Sequence, residues 1–138
     1  MHVSTRCRHA IKAVMRLALS HGGPPVQARE IAAFGGIPPK FLDQVMHDLR
    51  QAGLVIGRRG KGGGYLLARD PATITFADVF EAIEGSWGGI ARMPAGDQAE
   101  ALVEPVWREV RRATREVLSA ATFADIAAKA GASSMYYI

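Results

Sequence analysis

The chain has 138 residues, 49% of them apolar, which is enough for one domain with its own core plus an extra helix and excludes a disordered tail. A single cysteine excludes an internal disulfide framework, and no stretch approaches the roughly 18 apolar residues of a membrane span, so we expect a cytoplasmic protein with no membrane partner. The net charge of +4 is unevenly distributed: residues 1–70 carry 11 Lys/Arg and 4 Asp/Glu, whereas residues 71–138 carry 6 Lys/Arg and 9 Asp/Glu. A basic N-terminal half favours a nucleic-acid partner over a merely solvated surface.

The first two predicted elements are amphipathic helices. The first spans Val3–Ser20, where these apolar residues recur with the helical period: Cys7, Ala10, Ile11, Val14, Leu17 and Ala18. The second spans Val26–Phe34, with Gln27 or Ala28 at its start, and Gly35-Gly36 forms the turn that follows it. Two short helices joined by a glycine turn are typical of a helix-turn-helix.

The third predicted helix begins at Pro38 and Pro39, because proline at the first helical positions loses no needed N–H. Its apolar stripe consists of Leu42, Val45, Met46 and Leu49. Its polar face carries Lys40, Gln44, His47 and Gln51, with Phe41 beside them. Gly53 is expected to end the helix in a left-handed conformation.

A short hairpin follows, with strands predicted at Leu54–Ile56 and Tyr65–Leu67. Its tip contains three cations, Arg58, Arg59 and Lys61, among five glycines. In a winged helix-turn-helix, a helix with a polar outer face enters the major groove and such a tip reaches phosphates or the next minor groove. A nucleotide-binding phosphate loop is not indicated, because Lys61 is followed by glycines instead of Ser or Thr and the segment leads into a strand.

The C-terminal half is predicted to be helical. Thr73-Ile74 adds a brief strand, and a capping box at Thr75–Asp78 opens a helix that Gly85 ends. That helix is expected to bury Phe76, Val79, Phe80 and Ile83. After a loop over Ser86–Gly96, a long helix runs from Ala99 or Pro105 to Ala121, and a second capping box at Thr122–Asp125 opens a short helix that Gly131 closes. The long helix carries a coiled-coil seam, widened by Trp107, of Val103, Val106, Val110, Ala113, Val117 and Ala120.

These features together resemble a family of bacterial winged-helix repressors that includes the iron–sulfur cluster regulator, the nitrite/nitric-oxide-sensing repressor and the cysteine-metabolism repressor. The resemblance rests on IAAFGGIPPKFLDQVMHDLRQAGLV, on RRGKGGGYLLARDPATITFADVFEAIEG, and on VWREVRRATREVL followed by TFADI. It implies a mostly α fold with a small β-hairpin: a winged helix-turn-helix DNA-binding domain over residues 1–85, then a loop, a long dimerisation helix and a short C-terminal helix over 86–138. It also implies a homodimer on a pseudo-palindromic double-stranded DNA operator.

The resemblance places operator contacts at the start of the third helix, on Pro38, Lys40, Phe41, Asp43 and Gln44, and in the wing on Arg59. Lys61 stands where the family often has an uncharged residue, so its contact is inferred from its charge. The complete set expected to contact DNA is Gln27, Ala28, Pro38, Pro39, Lys40, Phe41, Asp43, Gln44, Arg58, Arg59, Lys61 and Gly62.

One departure concerns the cofactor. Family members that sense through an iron–sulfur cluster carry three cysteines in the loop before the long helix, but here that loop reads SWGGIARMPAGDQAE. Thiolates hold such clusters, so we expect no cluster, no metal and no other cofactor. Cys7 is interpreted as a core residue, with a redox thiol as the alternative, because Arg6 and Arg8 could lower its pKa.

The sequence contains no Ser-His-Asp set, carboxylate pair or metal-ligand spacing that indicates an enzyme. We therefore interpret the chain as a transcription regulator, most simply a repressor. Two alternatives stay open: a thiol- or cluster-based sensor, and a winged domain that binds other proteins. An unknown small-molecule effector could bind a pocket lined by Trp87, Met93 and Trp107.

Overall fold

The computed structural model describes residues 3–85 and 96–136 and has a mostly helical architecture with one antiparallel hairpin. Its elements are α1 (Thr5–Leu19), α2 (Ala28–Gly35), α3 (Pro39–Gln51), β1 (Val55–Arg58), β2 (Gly64–Leu67), a 3₁₀ turn (Pro71–Thr73), α4 (Phe76–Glu84), α5 (Gln98–Ala120) and α6 (Phe123–Tyr136). The predicted fold class, a winged helix-turn-helix followed by a long C-terminal helix, is confirmed.

Helix α1 lies at the centre of the core. Ser4 caps its start by accepting a hydrogen bond from the Cys7 N–H at 3.0 Å. Its buried stripe is Cys7, Ala10, Ala13, Val14, Leu17 and Ala18, and these residues pack against α2, α3, α4, α6 and β2. Small residues on this stripe allow five other elements to approach one helix closely.

The turn between α2 and α3 begins at Gly36, whereas Gly35, which was predicted to belong to the turn, is the last residue of α2. Gly36 takes a left-handed conformation with φ of 61°, and Lys12 donates from Nζ to the Gly35 carbonyl oxygen at 3.1 Å. Pro38 caps α3 and Pro39 is its first residue, as the proline pair predicts. The apolar stripe of Leu42, Val45, Met46 and Leu49 is buried, which confirms the predicted inner face of α3.

The hairpin pairs Val55 with Leu67 and Arg58 with Gly64, so the first strand extends further into the tip than predicted. Val26, just before α2, adds a bridge to Tyr65 through two hydrogen bonds of 2.9 and 2.8 Å. That bridge requires glycine at position 64, because a Cβ there would lie 2.4 Å from the Val26 carbonyl oxygen. The wing is thereby fixed to the start of α2.

The predicted strand at Thr73-Ile74 was wrong, since neither residue belongs to a strand. Residues 71–73 form a 3₁₀ turn because Asp70 holds the local N–H groups: its carboxylate accepts from Ala72 at 2.8 Å and its carbonyl from Thr73 at 2.8 Å. Ile74 is extended and buried, and its carbonyl accepts from the Phe123 N–H at 3.1 Å.

Helix α4 begins with the predicted capping box, in which Thr75 Oγ1 accepts from Asp78 N–H at 3.2 Å and the Asp78 carboxylate accepts from Thr75 N–H at 2.9 Å. It ends at Gly85, as predicted. Of the four residues expected to be buried, Val79 is fully buried, whereas Phe76, Phe80 and Ile83 are half-buried.

Helix α5 begins at Gln98, slightly before the predicted starts, and Asp97 caps it by accepting from the Glu100 N–H at 2.8 Å. Pro105 lies inside the helix and does not start it. Helix α6 opens with a hydrogen bond from the Asp125 N–H to Thr122 Oγ1 at 3.1 Å. The prediction that Gly131 closes α6 was wrong, because the helix runs to Tyr136. A helical glycine costs about 1 kcal/mol relative to alanine but does not by itself end a helix.

Replacing Gly131 by alanine is therefore expected to stabilise the protein by about 0.5–1 kcal/mol, because a Cβ at this position meets no atom within 4 Å. Urea unfolding of the two proteins measures the difference. A destabilised Gly131→Ala variant would contradict a helical conformation at this position.

Candidate nucleic-acid interface

The start of α3 presents an exposed outer face opposite its buried stripe. Every predicted contact on this helix is exposed, namely Pro38, Pro39, Lys40, Phe41, Asp43 and Gln44. Lys40 and Gln44 are four residues apart, so both lie on the same side of the helix. This end of α3 offers an amide, an ammonium and a carboxylate, which are groups that recognise base edges and phosphates.

Phe41 is the apolar member of this face, with half of its surface exposed (50%). Its ring stacks on His9 of α1, with ring centroids 6.3 Å apart and an interplanar angle of 28°. Burial, and secondarily the Lys12 charge, lowers the pKa of His9, which favours the neutral imidazole at neutral pH. Phe41 and Gln44 also line, with Thr5, Arg6, His9 and Val45, a pocket of about 270 Å³.

An ion pair between Arg6 and Asp48 joins α1 to α3 next to this pocket. Both side chains retain solvent exposure, so the pair contributes on the order of 0–1 kcal/mol. Sequence patterns did not predict the contacts of Arg6 and His9 with α3. Arg6 and Asp48 are separated by 42 positions, and His9 and Phe41 by 32, so no helical or strand period relates them.

The wing tip is exposed and cationic. Arg58, Arg59, Lys61 and Gly62 are all exposed, and within residues 3–85 and 96–136 none of the three cations forms an ion pair or a side-chain hydrogen bond. Gly63 allows the tip to fold tightly, because a Cβ there would lie 2.3 Å from the Arg58 carbonyl oxygen. The tip is therefore available to an anionic partner.

A groove of about 470 Å³ lies between the start of α2 and the wing. It brings together four residues predicted to contact DNA, Gln27, Ala28, Arg58 and Arg59. Gln27 caps α2 without a side-chain hydrogen bond, so its side chain leaves the first N–H groups of that helix free. Lys61, Gly62 and the predicted contacts on α3 are not among the residues that line the groove.

Arg50 also lines this groove, and the sequence interpretation missed it. A signal was available, since the helical period that passes through the predicted contact Asp43 continues through His47 to Arg50. Major-groove contacts concentrate at the first turns of such a helix, which is why Arg50, in the last turn of α3, was not among the predicted contacts.

The long helix α5 has an apolar face that no described element covers. The opposite side of α5 contacts α4, and Arg115 forms an ion pair there with Glu81 at 3.5 Å. Four half-buried residues recur along α5 with the helical period: Glu104, Arg111, Thr114 and Leu118. All seven residues of the predicted seam are exposed: Val103, Val106, Trp107, Val110, Ala113, Val117 and Ala120. Leu102, which was not predicted, is the most exposed large apolar residue among those that the structure describes, at 76%.

Cys7 lies in the core with no exposed surface. Burial, and secondarily the charge of Glu84, raises the pKa of its thiol to about 12. The expectation that Arg6 and Arg8 lower this pKa was wrong, because both guanidinium groups lie on exposed positions while the sulfur is buried. Within residues 3–85 and 96–136, no three His, Cys, Asp or Glu side chains group in a way that could hold a metal ion.

We therefore expect the native Cys7 thiol to react with a disulfide reagent at pH 8 only as fast as the protein opens. A pKa raised from 9.0 to about 12 keeps the thiol protonated at pH 8, and a protonated thiol is a poor nucleophile. The contribution of this group to the free energy of unfolding is present below pH 9 and is lost as the pH rises towards 12. Reaction kinetics with and without denaturant test this. Rapid labelling of the folded protein at pH 8 would show that the thiol is accessible and ionised.

Helix α3 (Pro39–Gln51), here called the reading helix, follows a glycine turn. Together with the basic wing and the long C-terminal helix, it defines the class of winged helix-turn-helix transcription regulators. The chain belongs to the Rrf2 family, whose model, described as an iron-dependent transcriptional regulator, matches residues 3–129. The resemblance inferred from the sequence motifs is confirmed.

Similar proteins of known name support the assignment to this family. The regulator CymR of Bacillus subtilis is 33% identical over 127 residues, covering 92% of this chain and 90% of CymR. The regulator IscR of Vibrio vulnificus is 30% identical over 129 residues, covering 91% of this chain and 77% of IscR.

Solved structures agree as well. The structure of B. subtilis CymR, described as the global cysteine regulator, matches with a TM-score of 0.81 at 32% identity, over 94% of this chain and 98% of CymR. The structure of T. potens IscR matches with a TM-score of 0.79 at 34% identity, over 94% of this chain and 88% of IscR.

Other expectations stay predictions. These are the individual DNA contacts and the domain division at residue 85. Trp87 and Met93, predicted to line an effector pocket with Trp107, and the loop before Gly96 lie outside the described residues. Within residues 3–85 and 96–136, no helix combines the length and apolar character needed to cross a bilayer.

Proposed function

We propose that the protein is a repressor that binds a pseudo-palindromic DNA operator as a homodimer. The observation that carries this proposal is the exposure of the start of α3 together with the wing tip, while the inner face of α3 is buried. Bases would be read by Lys40, Phe41 and Gln44, and affinity would come from Arg58, Arg59 and Lys61. Occupying promoter DNA is then sufficient to block transcription.

The dimer would form through α5. Its 23 residues extend about 35 Å, and a seam of valines with Trp107 on the exposed face would be buried against the same helix of a second copy. Two copies related by a twofold axis present two reading helices to two half-sites roughly one DNA turn apart.

We further propose that this regulator works without a conventional iron–sulfur cluster. The donor set does not fit one: the sequence has one cysteine, Cys7, and its sulfur is buried and protonated. Cluster ligation needs several thiolates close together, so the family's description as iron-dependent does not transfer to this chain through the usual ligands.

Genome-wide footprinting with the purified full-length protein tests the function, since it would identify the operator and therefore the regulated genes. Discrete, pseudo-palindromic protected sites are the expected result. A protein that protects no site, and binds no duplex at low ionic strength, would instead support a winged domain that binds other proteins.

Replacing Arg59 by alanine is expected to weaken operator binding by about 1–3 kcal/mol, because an unpaired guanidinium at the tip would contact a base or a narrow minor groove. Gel-shift titration at fixed salt measures the loss. Lys129→Ala is the matched control, since it removes one exposed cation from α6. Equal affinities for Arg59→Ala and wild type would remove Arg59 from the interface.

A further inference from the structure

The ten described residues that line the groove between the start of α2 and the wing include three arginines and no carboxylate. Arg50 reaches it from the last turn of α3, whereas Arg58 and Arg59 reach it from the hairpin. Like charges brought together in one groove repel one another unless an anion lies between them. The composition of the groove therefore fits an anionic ligand.

The Arg50 guanidinium lies close to Gly57 of the wing. A Cβ on Gly57 of β1 would lie 3.9 Å from both Cζ and Nε of Arg50 and 3.7 Å from Tyr65 Cε1. The Arg50 guanidinium thus lies beside the wing backbone, at a place that a larger residue at position 57 would fill. In this way one side chain of the reading helix reaches the wing.

Arg50 is also unpaired within residues 3–85 and 96–136, where it makes neither an ion pair nor a side-chain hydrogen bond. Other arginines of the fold have carboxylate partners, such as Arg6 with Asp48 and Arg69 with Asp78 at 3.0 Å. A guanidinium left without a partner beside two others is ready to bind a phosphate with two parallel hydrogen bonds.

We propose that this groove binds one phosphodiester of the DNA backbone and that Arg50 is a phosphate contact linking the reading helix to the wing. The proposal rests on the proposed DNA-binding function and adds a site and a residue to it. The first N–H groups of α2, which the Gln27 side chain leaves free, would donate to the same phosphate. Contacts to phosphate add affinity without sequence preference, so Arg50 would serve every site equally.

The test uses the full-length protein and two duplexes of about 30 base pairs, roughly three helical turns: one of arbitrary sequence and one containing a footprinted operator. Fluorescence anisotropy measures Kd across a range of salt concentrations for wild type, Arg50→Ala, Arg50→Lys, Gly57→Val and the control Lys129→Ala. Circular dichroism spectra confirm that each variant is folded, which we expect because Arg50 is exposed.

Arg50→Ala is expected to weaken binding to both duplexes by about tenfold and to reduce the slope of log Kd against log salt by about one for each wing engaged. Arg50→Lys should retain most of the slope, because it keeps the charge. Gly57→Val should weaken binding at unchanged net charge, because its side chain would occupy the groove.

Three results would decide against the proposal. Unchanged affinity and slope for Arg50→Ala, with wild type binding normally, would overturn the phosphate contact but leave the DNA-binding function intact. A loss confined to the operator duplex would make Arg50 a base contact. Full affinity for Gly57→Val would show that the groove itself is not used. Absence of duplex binding by wild type is the separate outcome that defeats the proposed function.

Discussion

Replacing Val106 by glutamate is expected to convert the proposed homodimer into a monomer. Val106 lies in the N-terminal half of the α5 seam, and 64% of its surface is exposed in the single chain. In a dimer each substitution occurs twice, so two carboxylates would be introduced into the apolar contact. An uncompensated buried charge costs about 3–5 kcal/mol, which is enough to separate the subunits at micromolar concentration.

Light scattering after size exclusion, over a range of protein concentrations, measures the change in mass. Glutamate is a good helix former, so α5 itself should stay intact. Ala101→Glu is the matched control, because it introduces the same side chain at an exposed position of α5 outside the seam. A dimeric Val106→Glu protein, or a monomeric Ala101→Glu protein, would place the subunit contact elsewhere.

The same substitution should remove high-affinity operator binding. Two linked winged domains bind the second half-site at a high effective concentration, and this advantage is commonly worth about 10²–10⁴ in affinity. A monomer retains an unchanged reading helix and wing but loses the linkage. We therefore expect Val106→Glu to bind a single half-site as weakly as wild type does and to lose at least about 100-fold on the complete operator.

Local sequence signals predicted most of the elements, because their causes are local. Pro39 at the start of α3, the capping box of Thr75 and Asp78, and Gly85 at the end of α4 act within one helical turn. Gly131 shows the limit of such signals, since a glycine ends a helix only where the chain must turn and α6 does not turn there.

Long-range contacts could not be predicted in the same way. The bridge between Val26 and Tyr65 and the stacking of His9 on Phe41 join residues on different elements, so their positions depend on tertiary packing. The DNA interface, too, could be predicted only in part from the sequence. Its cations on the wing were evident from composition, but Arg50 enters the groove only because the end of α3 lies beside β1.

Phe123 was assigned by sequence to a capping segment, yet it is the largest fully buried side chain of the described structure. Its ring stacks on Phe76 with centroids 4.9 Å apart and an interplanar angle of 25°, and its N–H donates to the Ile74 carbonyl oxygen. Through Phe123, the helix that follows α5 becomes part of the core around α1.

Phe123→Ala is therefore expected to destabilise the entire core and not only α6. Removing a buried phenylalanine ring typically costs about 3–5 kcal/mol, which lowers Tm by roughly 10–20 °C in a protein of this size. Phe123→Leu, which leaves a smaller cavity, is the control and should lose less than half as much. Thermal unfolding followed by circular dichroism gives both values.

Hydrogen exchange then distinguishes a shared core from two separate units. If the chain divides energetically at residue 85, Phe123→Ala should accelerate exchange only in α6. Because Phe123 belongs to the core cluster around α1, stacks on Phe76 of α4 and donates to the Ile74 carbonyl oxygen, we expect the slowest amides of α1 to lose protection together with those of α6. Unchanged protection of α1 would mean that the C-terminal helix docks on a winged domain that is stable without it.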